Sequence, residues 1–238
     1  MFLNTFNCHG SMRSFVLSTG LCFAGMVHAE APMTVDDAGT LGKGGMKIEG
    51  NWSKDDQQKG PSLLFGFSPA QNLELAIAGN SARDRSASPS THLRGVGVGG
   101  KWVPFQNETG WSLGVRFEYW RTRIDDRSVP EKFTERETVL AGLASYRAQG
   151  GQVVHVNLGG VQVKAQGERD TLGTWGIGYE YPLLDKLKLT AEIFGEQHGR
   201  PDKAVGLRYE VAEGVKISGG VGRGSDRSFG QVAFAWEF

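Results

Sequence analysis

From Met46 to Phe238 the chain repeats one pattern: short runs in which apolar and non-apolar residues alternate, broken by Gly, Pro, Asn or charged stretches. A period of two belongs to β-strands, whose successive side chains point to opposite faces. About twelve runs are legible, at Met46–Ser53, Ser62–Ser68, Leu73–Asn80, Leu93–Val103, Trp111–Arg121, Glu135–Arg147, Gln152–Val163, Thr171–Tyr181, Leu187–Gln197, Lys203–Val211, Val215–Gly222 and Ser228–Phe238. None has a helical period. Beyond residue 29 no apolar run approaches the ~18 residues of a spanning helix. If such a chain enters a membrane, it must do so as a closed barrel, because lipid offers the backbone no other hydrogen-bond partners.

The second face of the runs decides between a membrane barrel and a water-soluble one. Trp111, Leu113, Val115, Phe117 and Tyr119 oppose Ser112, Gly114, Arg116 and Glu118. Trp175, Ile177, Tyr179 and Tyr181 oppose Thr174, Gly176, Gly178 and Glu180. The same holds for Val96, Val98 and Trp102 against Gly95, Gly97, Gly99 and Lys101, and for Leu189, Ala191 and Ile193 against Lys188, Thr190 and Glu192. A solvent-facing strand avoids so much glycine, which weakens strands and packs nothing. A narrow bore uses it to make room for Arg and Glu reaching across from opposite walls. In the run Glu135–Arg147 both faces are apolar, and Leu140 and Tyr146 are assigned to the lipid side. Trp52, Phe67, Trp102, Trp111, Tyr119, Tyr146, Trp175, Tyr181, Tyr209 and Trp236 cluster near strand ends on the apolar face, where interfacial girdles lie.

The last run alternates Val232, Phe234, Trp236 and Phe238 with Gln231, Ala233, Ala235 and Glu237. Phe234, Trp236 and Phe238 resemble the C-terminal signal read by the outer-membrane assembly machinery. At the other end, Arg13, an apolar stretch from Phe15 to Val27, and a small-x-small site at Val27-His28-Ala29 make a secretory signal peptide over residues 1–29. Met12 is an alternative start. Residues 30–44 are then a periplasmic lead-in, and 45–238 the barrel. Both cysteines, Cys8 and Cys22, fall in the leader, so the mature chain has no disulfide or cysteine chemistry.

Connections alternate in character. Pro69–Asn72, Phe105–Gly110, Ala148–Gly151, Pro182–Lys186 and Ala212–Gly214 are compact. Lys54–Gly60, Ser81–Ser90, Thr122–Thr134 and Lys164–Asp170 are longer and more charged. Short turns on one side and long loops on the other suit an outer-membrane barrel, and an even strand number places both termini in the periplasm.

Chemical motifs are few. Gly95, Gly97 and Gly100 have dinucleotide-fingerprint spacing but lie in a strand, without the helix that motif needs. His92, His155 and His198 lack metal-ligand spacing. Asp36, Asp37, Asp55 and Asp56 do not follow calcium-loop spacing and read as solvated charge. The turn 148–151 brings Ser145 beside His155, with Asn157 near. Such a pair serves lipid hydrolysis in some barrels, but here it faces the bore at the periplasmic rim. No cofactor, no metal and no enzymatic role is expected. The balance of 26 basic against 26 acidic residues gives nucleic acid no basic face to bind.

The segment Thr34-Val35-Asp36-Asp37-Ala38-Gly39-Thr40-Leu41-Gly42-Lys43-Gly44, directly ahead of the first run, resembles the opening of exported barrels called meta-pathway phenol-degradation proteins or transporters. Ala38 stands where Thr is common. The resemblance implies an outer-membrane location and passage of small, aromatic or hydrophobic compounds, and carries over no site residues.

The reading is therefore an all-β, antiparallel transmembrane barrel of about 12 strands in the outer membrane. It is expected to be a channel or transporter for small molecules, with outer-membrane lipid, a small-molecule solute and the assembly machinery as partners. Lumen-lining candidates are Lys101, Arg116, Glu118, His155, Asn157, Glu180, Lys188, Glu192, Arg208 and Lys216. The alternatives are a plugged structural or adhesive barrel, a barrel lipid hydrolase and a soluble periplasmic β protein.

Overall fold

The computed structural model describes residues 30–85, 89–126, 132–224 and 227–238. The leader 1–29 and parts of three connections (86–88, 127–131, 225–226) lie outside the described residues.

Twelve strands form: β1 Met46–Asp55, β2 Gln58–Ala70, β3 Leu73–Asp84, β4 Thr91–Phe105, β5 Gly110–Asp125, β6 Phe133–Arg147, β7 Val153–Ala165, β8 Glu168–Leu184, β9 Leu187–Glu196, β10 Asp202–Ala212, β11 Val215–Arg223 and β12 Ser228–Glu237. Each pairs antiparallel with the next, and β12 returns to β1 to close the barrel. At that seam Ile48 lies opposite Trp236 and Trp52 opposite Val232. The Met46 and Phe238 amides exchange hydrogen bonds with each other's carbonyls at 2.8 and 2.9 Å. Closure removes the unpaired edges that an open sheet would leave in lipid.

The faces are inverted relative to a water-soluble fold. Trp111, Ile177 and Val232 are 57%, 46% and 58% exposed, while Lys101, Arg116 and Glu118 are buried. In β6, Leu140 and Tyr146 face outward, and Val139, Ala141 and Leu143 inward.

Three features depart from the sequence reading. The stretches Lys54–Gly60 and Lys164–Asp170, expected as longer loops, shrink to turns at 56–57 and 166–167, because the strands run on through charged residues that keep alternating. The second turn is tight because Gln166 (φ 50°) and Gly167 (φ 86°) both adopt the left-handed conformation that a two-residue hairpin demands. Next, the bore is not uniformly polar. At the end remote from the termini it carries the apolar clusters Ala82–Leu93–Ile124 and Val139–Val161–Val163, with Leu64, Ala76, Ala78 and Trp120 below. Third, the lead-in does not lie outside the barrel. From Glu30 to Ala38 it runs inside the bore, then leaves through Gly42 and Gly44, both at positive φ, to reach β1. The exit is held by β2: Gly44 N–H donates to the Ser68 carbonyl (2.7 Å), and Ser68 N–H to that of Gly45 (2.9 Å).

Candidate functional site

A polar cylinder wall bends no chain inward by itself; the inserted segment is held by side chains that the barrel's closure brings round it. On one side Lys101 of β4 and Arg116 of β5, neighbours in register, face Asp36. Lys101 Nζ lies 3.2 Å from Asp36 Oδ1 and 2.9 Å from Asp37 Oδ1, and Arg116 Nη1 3.5 Å from Asp36 Oδ2. Arg116 Nε also meets Glu118 at 3.1 Å, and Arg147 Nη2 meets Asp37 Oδ2 at 3.2 Å. The expectation that Asp36 and Asp37 are solvated charge is corrected for Asp36, which has no exposed surface. In a bore of low dielectric a buried carboxylate needs cations, and the wall supplies two.

The segment's backbone is satisfied too. Asn157 of β7 brackets Asp36, its Oδ1 accepting the Asp36 N–H (2.7 Å) and its Nδ2 donating to the Asp36 carbonyl (2.8 Å). Glu192 of β9 accepts the N–H groups of Thr34 (2.7 Å) and Val35 (2.8 Å) through one oxygen. Arg208 of β10 donates to the carbonyls of Ala31 (3.0 Å) and Glu30 (2.6 Å), and Gln231 of β12 to that of Pro32 (2.7 Å). Lys216 of β11 pairs with Glu30 at 2.9 Å. A segment without strand partners thus has its polar groups met by side chains of eight strands, as buried backbone requires.

Ser145 and His155 do stand side by side across β6 and β7, with Ser145 Oγ 2.8 Å from His155 Nδ1. The third group is Glu180, 3.6 Å from His155 Nε2 and tied to Arg208 (2.8 Å) and Lys188 (3.1 Å); Asn157 is occupied by Asp36. Ser145 Oγ accepts the Ala38 N–H (2.7 Å) and has no exposed surface. The geometry spends this hydroxyl on holding the segment.

Of the lumen candidates, Lys101, Arg116, Glu118, His155, Asn157, Glu180, Glu192 and Arg208 are buried inside the barrel. Lys216 is partly buried. Lys188 sits at the rim, its side chain 48% exposed. The sequence reading missed the segment's own acids, Glu30, Asp36 and Asp37, and the inward-facing Trp120, whose Nε1 donates to Glu118 at 3.1 Å.

The inward glycines also have a different use from the one expected. At Gly97 a Cβ would stand 2.5 Å from the Trp120 ring. At Gly178 it would stand 2.4 Å from Met33 Cε, and at Gly206 2.5 Å from Pro32 Cγ. They make room for Trp120 and for the inserted segment, more than for charges crossing the bore. Beside the segment remains a cavity of about 20 Å³ lined by Ala31, Met33, Glu49, Asn51, Leu64 and Trp120, enough for about one water.

Solved structures share this fold. The COG4313 outer membrane channel from Pseudomonas putida F1 superposes with a TM-score of 0.65 at 9% identity, covering 85% of this chain and 98% of the other. The KdgM porin in complex with disordered oligogalacturonate gives 0.59 at 16%, covering 81% and 99%. The translocator domain of the autotransporter NalP from Neisseria meningitidis gives 0.59 at 16%, covering 83% and 89%. At such identities the likeness is one of fold. No curated protein matches the chain. A family model described as "Uncharacterised conserved protein UCP029691" matches residues 19–227.

Proposed function

The chain belongs to the family UCP029691, and from that premise we propose that it is an outer-membrane channel for small solutes, closed at rest by its own residues 30–38. The observation that carries this reading is the nature of the closure. The bore is sealed by ion pairs and hydrogen bonds to a strand-less segment. Water can replace such contacts as the segment leaves, whereas a dry core would have to be broken. Twelve strands also sit between the filled eight-stranded barrels and the open porins, so the bore is wide enough to hold a segment that can leave it.

The apolar outer face with Trp111, Tyr146, Tyr181, Tyr209, Trp236 and Phe238 toward one end favours a membrane setting, with the short turns and both termini in the periplasm after loss of residues 1–29. Phe234, Trp236 and Phe238 support delivery by the barrel-assembly machinery. The likeness of residues 34–44 to the meta-pathway phenol-degradation barrels favours small aromatic or hydrophobic solutes, and the shared fold with the Pseudomonas outer membrane channel supports a channel role.

A second reading, a permanently plugged structural barrel, is favoured by how many side chains of the wall hold the docked segment. Single-channel recording in planar bilayers separates the two. The refolded chain is expected to be quiet with brief openings, and Asp36→Ala with Asp37→Ala to lengthen them and admit small aromatic solutes. Silence of both proteins, with folding confirmed by different migration of unheated and boiled samples, would establish the plugged barrel.

A further inference from the structure

The outer surface carries a second charge arrangement, at the end of the barrel remote from the termini. Arg94 lies opposite Arg123, Arg121 opposite Arg136, Arg136 opposite Lys164, and Lys164 opposite Arg169, across the successive strands β4 to β8. All six side chains are exposed on the outward face. Like charges set directly opposite each other destabilise a strand pair, and here four such pairs adjoin. Of the acids at the same strand ends, Glu118, Glu135 and Glu137 are buried on the bore side, Asp125 is taken by Lys132 at 2.9 Å, and the exposed Glu168 and Asp170 pair with none of the six. Among the described residues none of the six forms an ion pair. Six outward cations thus adjoin without a paired carboxylate, so the patch calls for anions from outside the chain.

Its height is informative. Along β5 the outward face runs from Trp111 through Val115 to Tyr119, and Arg121 comes next. From Trp111 to Arg121 the strand covers roughly 33 Å at ~3.3 Å per residue. A tilt of about 40° reduces this to about 25 Å along the axis, the height of a lipid-facing band. If the aromatic end lies at one membrane surface, the arginines lie at the headgroups of the other. Arginine forks match phosphate oxygens two at a time. Five strands about 4.8 Å apart spread the charges over roughly 20 Å, wider than one phospholipid phosphate.

We propose that this patch binds the phosphates of the phosphorylated glycolipid of the outer leaflet, lipopolysaccharide, through its two-phosphate lipid A headgroup. The inference rests on the outer-membrane reading above.

The test uses the full mature chain refolded in zwitterionic micelles, with lipid retention read by native mass spectrometry. Lipid A, dephosphorylated lipid A and phosphatidylglycerol are the probes. The protein is expected to retain lipid A about tenfold or more tightly than either other lipid, and Arg94→Ser/Arg121→Ser/Arg136→Ser to lose that preference. A change at the opposite rim, Lys186→Ser, should leave it intact. Equal retention of dephosphorylated lipid A, equal retention of phosphatidylglycerol, or an unchanged preference in the variant would overturn the proposal. Should the triple variant fail to refold, Arg121→Ser alone is expected to weaken lipid A retention about threefold, and no change there overturns it equally. A protein whose boiled and unboiled forms migrate alike would sink the membrane reading itself. A folded barrel indifferent to lipid A would sink only this patch.

Discussion

Replacing Asp36 by Ala removes the carboxylate that stands 3.2 Å from Lys101 and 3.5 Å from Arg116, with no surface exposed. Deleting one partner of a buried ion pair costs about 3–5 kcal/mol when the other is left alone. Neither cation is left alone here. Lys101 keeps Asp37 at 2.9 Å and Arg116 keeps Glu118 at 3.1 Å, and Asn157 still holds the residue's backbone. A loss of about 2–4 kcal/mol in docking is therefore expected, or roughly 30- to 900-fold in the docked-to-free ratio. Amide hydrogen exchange reads this directly, because the N–H groups of Thr34, Val35, Asp36 and Ala38 are satisfied only by the wall. Their protection should fall by that factor in Asp36→Ala while the strands β5 to β8 keep theirs. Unchanged protection over residues 34–38 would refute the ion-pair account of docking. Equal loss in the segment and the strands would refute the idea that the segment releases independently of the barrel.

Three further outcomes are expected. Val115→Arg, in the outward apolar band, should destabilise the barrel by about 2–4 kcal/mol in denaturant titrations from vesicles, whereas Glu108→Arg at the exposed rim should cost little. Gly176→Val should raise exchange over residues 33–35 without unfolding the barrel, since a Cβ there would stand 2.7 Å from Val35 Cγ2. Docking should also weaken in acid. Burial raises the Asp37 and Glu30 carboxyls, but Lys101 and Arg147 outweigh it at Asp37, and Arg208, Lys216 and Lys47 at Glu30, so both end below their ordinary values. A depressed docked value means that the contribution is complete above the free carboxyl range, about 4, and is lost as pH falls below it. Protection over 36–38 should thus drop as pH falls below about 4; protection unchanged or rising there would contradict the pairing.

The barrel wall was legible because alternation is local: Trp111 to Tyr119 declare their face within nine residues, and an inverted second face of Arg116, Glu118 and Gly114 declares the solvent. The inserted segment was not. Residues 30–44 have no period, and the partners of Asp36 lie 65 residues away at Lys101 and 121 away at Asn157, brought near only by closure. Without them Asp36-Asp37 reads as ordinary surface acid. Strand ends were underestimated at Gln58 and Glu168 for a related reason: charged composition resembles a loop, yet Lys59, Lys164 and Arg169 still alternate outward and the ladder continues through them. Trp120 was missed because a large aromatic on the bore side breaks the rule set by its neighbours, and Gly97 opposite it is what admits it.

The exit at Gly42 to Gly45, stitched to Ser68, makes the closing element a ball on a short chain. Once free it cannot diffuse off; the few residues of tether between Ala38 and Gly44 keep it at about millimolar local concentration near its seat. Reclosure is then a first-order event, set by leash length and indifferent to how many copies of the protein share the membrane. Lengthening the leash with a glycine-serine insert ahead of Gly42 would slow it without altering a single contact in the seat.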